Sequence, residues 1–497
     1  MINICVKLLG FGREMAIADG FGASFLTDAY LAAYTFPYFF QAILGYAFVS
    51  AVLPMLSECW AEVGDNSRAC RLGSTLINVT AAGMLALSLI GVLAAPALVW
   101  LTAPGLPPDT AELAADLARI IFPSMMFMSV GMVISGILNS RYRFAAAALA
   151  PGVCSLAIII SVVWLARGNI YILAWGTLAG FVAFFLIQLI DLPRTGFKYS
   201  FSWDMKDPAV KRVMANILPI VLGLSVNQIY IVVNRIFASS LAEGSISALN
   251  YASKLMNLPL GIFVAAIITA VFPALAEKAQ LIDKSALKNT LKRGLSMVLV
   301  ISVPAAAGLM LLDNEIIRLL FERGSFSATD TKITTLALTP MAPGLVFLAV
   351  SMLLMRVYYA LNEVRIPLIT GAVSIAVNVI FSLILVGPMA HGGLSLANTL
   401  AAATNAVLLL YFLNKRIRFV SGDYFKSGLY PSLAAAAAMS LPVWLGKTLW
   451  PHVSTKAGAS LEIVVLIALA VAVYFLALKL LHCSLLQEIL TGLRKKK

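Results

Sequence analysis

Apolar runs of about 20 residues, enough for a helix to cross a bilayer, follow one another along almost the whole chain, with only short polar breaks between them. Reading for them gives about fourteen: 2–22, 27–57, 73–102, 111–139, 145–166, 169–192, 212–241, 246–276, 291–312, 330–360, 365–387, 392–414, 429–450 and 459–482. Between them no stretch is long enough for a second, water-soluble domain. Composition agrees: 61% of the 497 residues are apolar and 12% are charged, where soluble domains carry about 25% charged residues. Too little polar surface remains to cover a soluble core. The expected fold is an all-α polytopic membrane protein.

The net charge of +13 would point to nucleic acid in a soluble protein. Its distribution gives another reading. With the N-terminus placed in the cytoplasm, 24 Lys and Arg fall in cytoplasmic loops and the C-terminal tail, against 5 on the opposite side. This positive-inside asymmetry fits an even number of spans with both termini cytoplasmic. Topology and contact with anionic lipid account for most of the excess, so no nucleic-acid partner is expected.

Enzyme chemistry has almost no support. The five cysteines, Cys5, Cys59, Cys70, Cys154 and Cys483, form no CxxC pair, and the three histidines are scattered. Neither a disulfide framework nor a zinc site is expected. Gly446-Lys447-Thr448 lacks the upstream glycine of a P-loop, and Gly10-x-Gly12 lacks its third glycine. No cofactor is expected, and the sequence names no coupling ion.

The chain resembles itself at an offset of 219 residues. Ala51-Val52-x-Pro54 recurs as Ala270-Val271-x-Pro273, Gly105 as Gly324, and Gly152 and Ser155 as Gly371 and Ser374. Six spans lie within the offset. Six is even, so both copies enter the membrane in the same sense, as parallel repeats. The expected layout is an N-lobe over 1–192, a cytoplasmic linker over 193–211 and a C-lobe over 212–414. A loop over 415–428, two additional helices within 429–482 and a basic tail over 483–497 complete it. Two parallel lobes suit an alternating-access transporter.

Charges inside the spans then become the functional candidates, because each costs about 2.5–3.5 kcal/mol at a helix centre. Span 1 carries Lys7, Arg13, Glu14 and Asp19, with Asp28 near the start of span 2. Arg13 and Glu14 are adjacent and leave a helix in different directions, so they do not read as one neutralised pair. Arg119 lies on span 4. In the second half, Lys254 reads as a cavity-lining cation, whereas Arg356 and Arg235 read as snorkelling to an interface. Cations from both lobes facing one cavity suit a phosphate or diphosphate. A cationic drug would instead need buried carboxylates, for which Asp28 is the one good candidate. Asn234, Asn378, Asn398 and Asn405 suit either a small cation or helix–helix hydrogen bonds. Gly10 and Gly12 give span 1 a soft point beside Arg13, and Pro37, Pro54, Pro123, Pro259 and Pro343 are placed to bend helices or free carbonyls.

Several of these residues carry a resemblance. Leu9-Gly10-Phe11-Gly12-Arg13-Glu14, Phe21-Gly22-Ala23-Ser24 and Thr27-Asp28-Ala29-Tyr30 resemble the opening of the MurJ (MviN) lipid II flippases, of the multidrug/oligosaccharidyl-lipid/polysaccharide exporter superfamily. The similarity continues through Ala47-Phe48-Val49-Ser50-Ala51-Val52-Leu53-Pro54, Thr102-Ala103-Pro104-Gly105, Gly136-Ile137-Leu138-Asn139, Ile236-Phe237-Ala238-Ser239 and Tyr251-Ala252-Ser253-Lys254-Leu255-Met256. It implies a V-shaped bundle of fourteen helices around a cationic cavity, in a bacterial inner membrane. It also implies transfer of an undecaprenyl-diphosphate-linked peptidoglycan precursor to the outer leaflet. The family's span 1 arginines match Lys7 and Arg13, its acidic residue opening span 2 matches Asp28, and its span 8 arginine matches Lys254. Its additional helices, here 429–450 and 459–482, are associated with the polyprenyl tail.

The chain departs from the pattern where many members carry basic residues in span 2. It reads Phe39-Phe40-Gln41-Ala42 there, with Tyr46 in place of a glutamate. Arg13, Lys254, Lys7, Asp28 and Gln41 are thus the expected substrate-binding residues, and Gly10, Gly12 and Glu14 the expected gating or hinge residues. A monomer is expected. The departures keep a flippase for another polyprenyl-diphosphate glycan open, and a non-transporting membrane scaffold is the alternative from a different class.

Overall fold

Helices carry all of the long apolar runs, and no strand occurs among the described residues. The computed structural model describes residues 2–61, 66–166, 168–281, 283–418, 428–449 and 456–481. The tail expected over 483–497 and most of the loop expected over 415–428 lie outside these.

The first half contains α1 (Ile2–Phe21), α2 (Phe25–Ala61), α3 (Asn66–Leu93), α4 (Ala95–Thr102), α5 (Pro108–Ile121), α6 (Ser124–Ser140), α7 (Phe144–Ile160) and α8 (Ile170–Asp191). Then come α9 (Pro208–Ser239), α10 (Ser245–Pro259), α11 (Ala265–Ala279), α12 (Ser285–Leu311) and α13 (Asp313–Phe321). Last are α14 (Ala328–Met341), α15 (Gly344–Ala360), α16 (Arg365–Ile417), α17 (Tyr430–Leu449) and α18 (Lys456–Leu480). Among the described residues seven helical stretches are long and apolar enough to cross a membrane, or nine if each of two bent pairs is one span. The count of fourteen is therefore the sequence's, while a multi-span helical architecture is the structure's.

Prolines explain where helices bend. The pair α5–α6 turns by 40° and the pair α14–α15 by 49°, at Pro123 and Pro343, where the missing N–H breaks the ladder. After Pro259 the helix widens into a π-turn over Leu260–Val264 before α11 resumes. The 53 residues of α16 would measure about 80 Å as one rod, against a hydrocarbon core of about 30 Å. The chain reverses at Ala390, whose φ of 47° is outside the helical region, so α16 is two legs. Asn378 Nδ2 donates to Asn398 Oδ1 at 2.8 Å and ties one leg to the other.

The chain divides into two compact units. The first comprises residues 1–247 with 323–327, the second 248–322 with 328–497. In the first, Val52, Leu56, Leu72, Leu76, Ile134 and Ile137 are buried together between α2, α3 and α6. In the second, α17 and α18 pack against each other and α17 against α12. There Tyr474 donates its hydroxyl to the Val300 carbonyl at 2.9 Å. The same unit places Lys447, the residue of the P-loop-like triplet, in an ion pair with Glu315 at 3.1 Å.

Helix α3 carries an exposed apolar face. Leu89, Ile90 and Leu93 on α3 are 56%, 59% and 83% exposed, a density that water would penalise and lipid does not. Cys59, Cys70 and Cys154 are buried thiols, and Cys5 is an exposed one.

Candidate functional site

The α1–α2 connection is built by local polar side chains. Gly22, at φ 66°, ends α1 in the left-handed conformation that favours glycine. Ser24 Oγ then donates to the Phe21 carbonyl at 2.7 Å, and Thr27 Oγ1 to the Gly22 carbonyl at 2.9 Å. The α9–α10 connection is its counterpart. Gly244 sits at φ 83°, and Ser247 Oγ donates to its carbonyl at 3.0 Å.

The two connections cap each other. The first N–H groups of a helix lack intrahelical partners. Phe25 N–H, opening α2, donates to Glu243 Oε1 at 2.9 Å. Gly244 N–H and Ser247 N–H, opening α10, donate to the two carboxylate oxygens of Asp28, each at 2.8 Å. Two helix N-termini thus each face a carboxylate, the sign their dipoles favour. Asp28 is 4% exposed. A Cβ on Gly244 would run into the Ala23 carbonyl oxygen, so the close approach needs glycine. A second clamp closes the end of α1: Ser325 N–H donates to the Asp19 carbonyl at 2.7 Å and Ser325 Oγ to the Gly20 carbonyl at 3.0 Å. Gly324, at φ 55°, has no room for a Cβ beside the same Asp19 carbonyl.

Arg13 lies on α1 with 22% of its side chain exposed, and its Nη2 donates to Glu14 Oε1 at 2.7 Å. This corrects the expectation that adjacent positions keep the two apart. Residues one apart differ by about 100° in Cβ direction, but that angle does not limit a long guanidinium, which swings back to the buried carboxylate. Arg13 is also within electrostatic range of Tyr30 and Tyr34. Arg235 does not snorkel. It donates to the Leu31 carbonyl and, at 2.6 Å, to Thr35 Oγ1 on α2.

Lys7 is exposed on α1, and Lys254 is half-buried in α10 of the second unit. Gln41 lies in α2, and its side chain is outside the described residues, as is that of Tyr46. Arg119 is paired with Asp116 at 2.5 Å on the exposed side of α5. Arg356 is exposed and stands over the Phe272 ring at 5.7 Å. Helix α1 passes through Gly10 and Gly12 unbroken. A Cβ at those positions would meet nothing closer than Ser155 Oγ at 4.0 Å and Ile159 Cδ1 at 3.9 Å. Packing therefore does not require glycine at either.

Glu243 is not legible from sequence, because an exposed-loop glutamate carries no signal of the helix it caps 218 residues away. Tyr30, Tyr34 and Tyr38 carry a signal in the sequence, a spacing of four that puts them on one helix face.

Comparisons with known proteins place this chain in a family. The family model described as "Lipid II flippase MurJ" matches residues 17–487. A probable lipid II flippase MurJ from Rhizobium tropici is 31% identical over 421 residues, covering 82% of this chain and 78% of the relative. The lipid II flippase MurJ of Burkholderia cenocepacia is 30% identical over 420 residues, with 82% and 81% covered. Among solved structures, a lipid II flippase MurJ in an inward closed conformation superposes with a TM-score of 0.81 at 26% identity, covering 95% of this chain and 96% of that one. An inward-facing multidrug transporter of the MATE family shares the fold, with a TM-score of 0.66 at 17% identity over 84% and 94% of the two chains.

Proposed function

Because the chain belongs to the MurJ lipid II flippase family, we propose that it moves lipid II, an undecaprenyl-diphosphate-linked peptidoglycan precursor, from the inner to the outer leaflet by alternating access. It is a multi-pass membrane protein. We place it in the bacterial cytoplasmic membrane with both termini in the cytoplasm, working as a monomer and without an enzymatic step. Its basic loops then face anionic lipid.

The observation that carries this reading is Arg13: a guanidinium on α1 paired with a buried carboxylate and within electrostatic range of two tyrosines, with part of its surface open. A diphosphate is the ligand such a fork grips best. Lys7 adds positive charge on the same helix, and Gly10, Gly12 and Glu14 serve the motion of α1. Under the proposed topology the crossed caps of α2 and α10 lie towards the outer face.

The test is complementation in cells depleted of their own lipid II flippase. The wild-type chain is expected to restore growth, and Arg13→Ala, inserted at normal levels, is not. Full rescue by Arg13→Ala would remove the arginine from the mechanism. Failure of the wild type at normal levels would point to a different glycan.

A further inference from the structure

Tyr30, Tyr34 and Tyr38 stand four residues apart and so share one face of α2. Their rings form a ladder. Tyr30 and Tyr34 stack with centroids 6.0 Å apart and planes 4° from parallel, and Tyr34 and Tyr38 follow at 5.8 Å and 47°. Phe181 of α8 backs Tyr34 at 6.5 Å. The ladder has a fixed foot and an open tip. Tyr30 is 4% exposed and its hydroxyl is bonded to Thr177 Oγ1 at 2.9 Å, whereas Tyr38 is 37% exposed. Arg13 of α1 is within electrostatic range of the lower two rungs.

Packing alone accounts for the foot but not for the tip. Tyr38 lies about 20 Å along α2 from Phe25, at 1.5 Å per residue, which is deep within a hydrocarbon core of about 30 Å. A phenol exposed to lipid at that depth would leave its O–H unsatisfied. An open tyrosine there belongs on a wet, substrate-facing wall.

We propose that Tyr38 and Tyr34 form a saccharide subsite that stacks the sugar next to the diphosphate while Arg13 holds the phosphate. This rests on the flippase reading above. The chemistry of the groups fits the join between these two parts of the substrate. The C–H face of a pyranose is weakly positive and lies on the negative face of an aromatic ring, and its hydroxyls reach the phenolic oxygens at the ring edge. The anion beside it meets the guanidinium. The subsite gives the first unit a way to distinguish a glycan-bearing lipid from the bare carrier.

The experiment measures binding of two probes to the purified full-length protein in nanodiscs: undecaprenyl diphosphate, and the same lipid bearing its one- or two-sugar headgroup. Tyr38→Ala is expected to weaken the sugar-bearing probe about tenfold, the scale of one lost aromatic stack, and to leave the bare diphosphate within about twofold. Tyr38→Trp keeps a stacking face and is expected to retain affinity for both, which separates lost stacking from lost folding. Arg13→Ala is expected to weaken both probes alike. Equal weakening of the two probes by Tyr38→Ala, no effect on either, or loss of both in Tyr38→Trp would overturn the subsite. A wild-type protein that binds neither probe would instead overturn the flippase reading on which it rests.

Discussion

Asp28 Oδ1 accepts a 2.8 Å hydrogen bond from the backbone N–H of Ser247, the residue 219 positions further along the chain. That separation is the period of the internal repeat, so Asp28 caps the helix position equivalent to its own. Glu243 returns the favour at Phe25, whose counterpart Gly244 is held by the other oxygen of Asp28. The duplicated helix starts are cross-capped, and the residues that do it are not themselves repeated: Asp28 faces a serine, and Glu243 stands where the first copy has Ser24.

Removing the Asp28 carboxylate strands two backbone donors at one helix start. Asp28→Ala is expected to destabilise the protein by about 2 kcal/mol, read as a lower melting temperature in detergent. Asp28→Asn, which keeps one acceptor oxygen, should fall between Asp28→Ala and wild type. An unchanged melting temperature in Asp28→Ala would show that the cap carries no stability.

Gly244→Ala tests the close approach. The substitution forces a side chain into the left-handed region, at about 1–2 kcal/mol, and against the Ala23 carbonyl. The connections should part, so a cysteine placed at Ser24 should react faster with a membrane-impermeant maleimide in the Gly244→Ala background. Equal labelling rates in both backgrounds would contradict the clamp.

Gly10→Ala and Gly12→Ala separate stability from motion. Both sites have room for a methyl group within an intact helix, and replacing a mid-helix glycine stabilises by about 0.5–1 kcal/mol. The melting temperature should rise. If α1 flexes there during transport, lipid II translocation should slow in the same variants. A higher melting temperature with undiminished translocation would eliminate the hinge.

Arg13 and Glu14 are coupled. Arg13→Ala leaves the buried Glu14 carboxylate without its ion-pair partner, a loss of about 3–5 kcal/mol where such pairs are fully buried and less here, since Arg13 is partly exposed. Adding Glu14→Gln should recover part of that stability without restoring transport. A double variant no more stable than Arg13→Ala would mean that the pair is not energetically coupled.

Much of this protein is legible in one dimension. Membrane-spanning helices follow from run length and hydropathy, and the family from short motifs in fixed order. The repeat follows from a single offset, and the bends at Pro123 and Pro343 from a missing N–H. These are sums or local properties of consecutive residues, so no knowledge of packing is needed to read them. Partnership is different. Sequence could mark Asp28 as a buried charge but not that its partners are the N–H groups of Gly244 and Ser247. It could mark Arg13 and Glu14 as adjacent, yet the direction of a Cβ does not set the reach of a guanidinium. The tyrosine spacing was visible, but which rung is buried on Thr177 and which is open was decided by where α8 packs. Hydrogen bonds and ring stacks depend on atoms meeting within a few ångströms, and only the folded chain brings positions more than a hundred residues apart to that range.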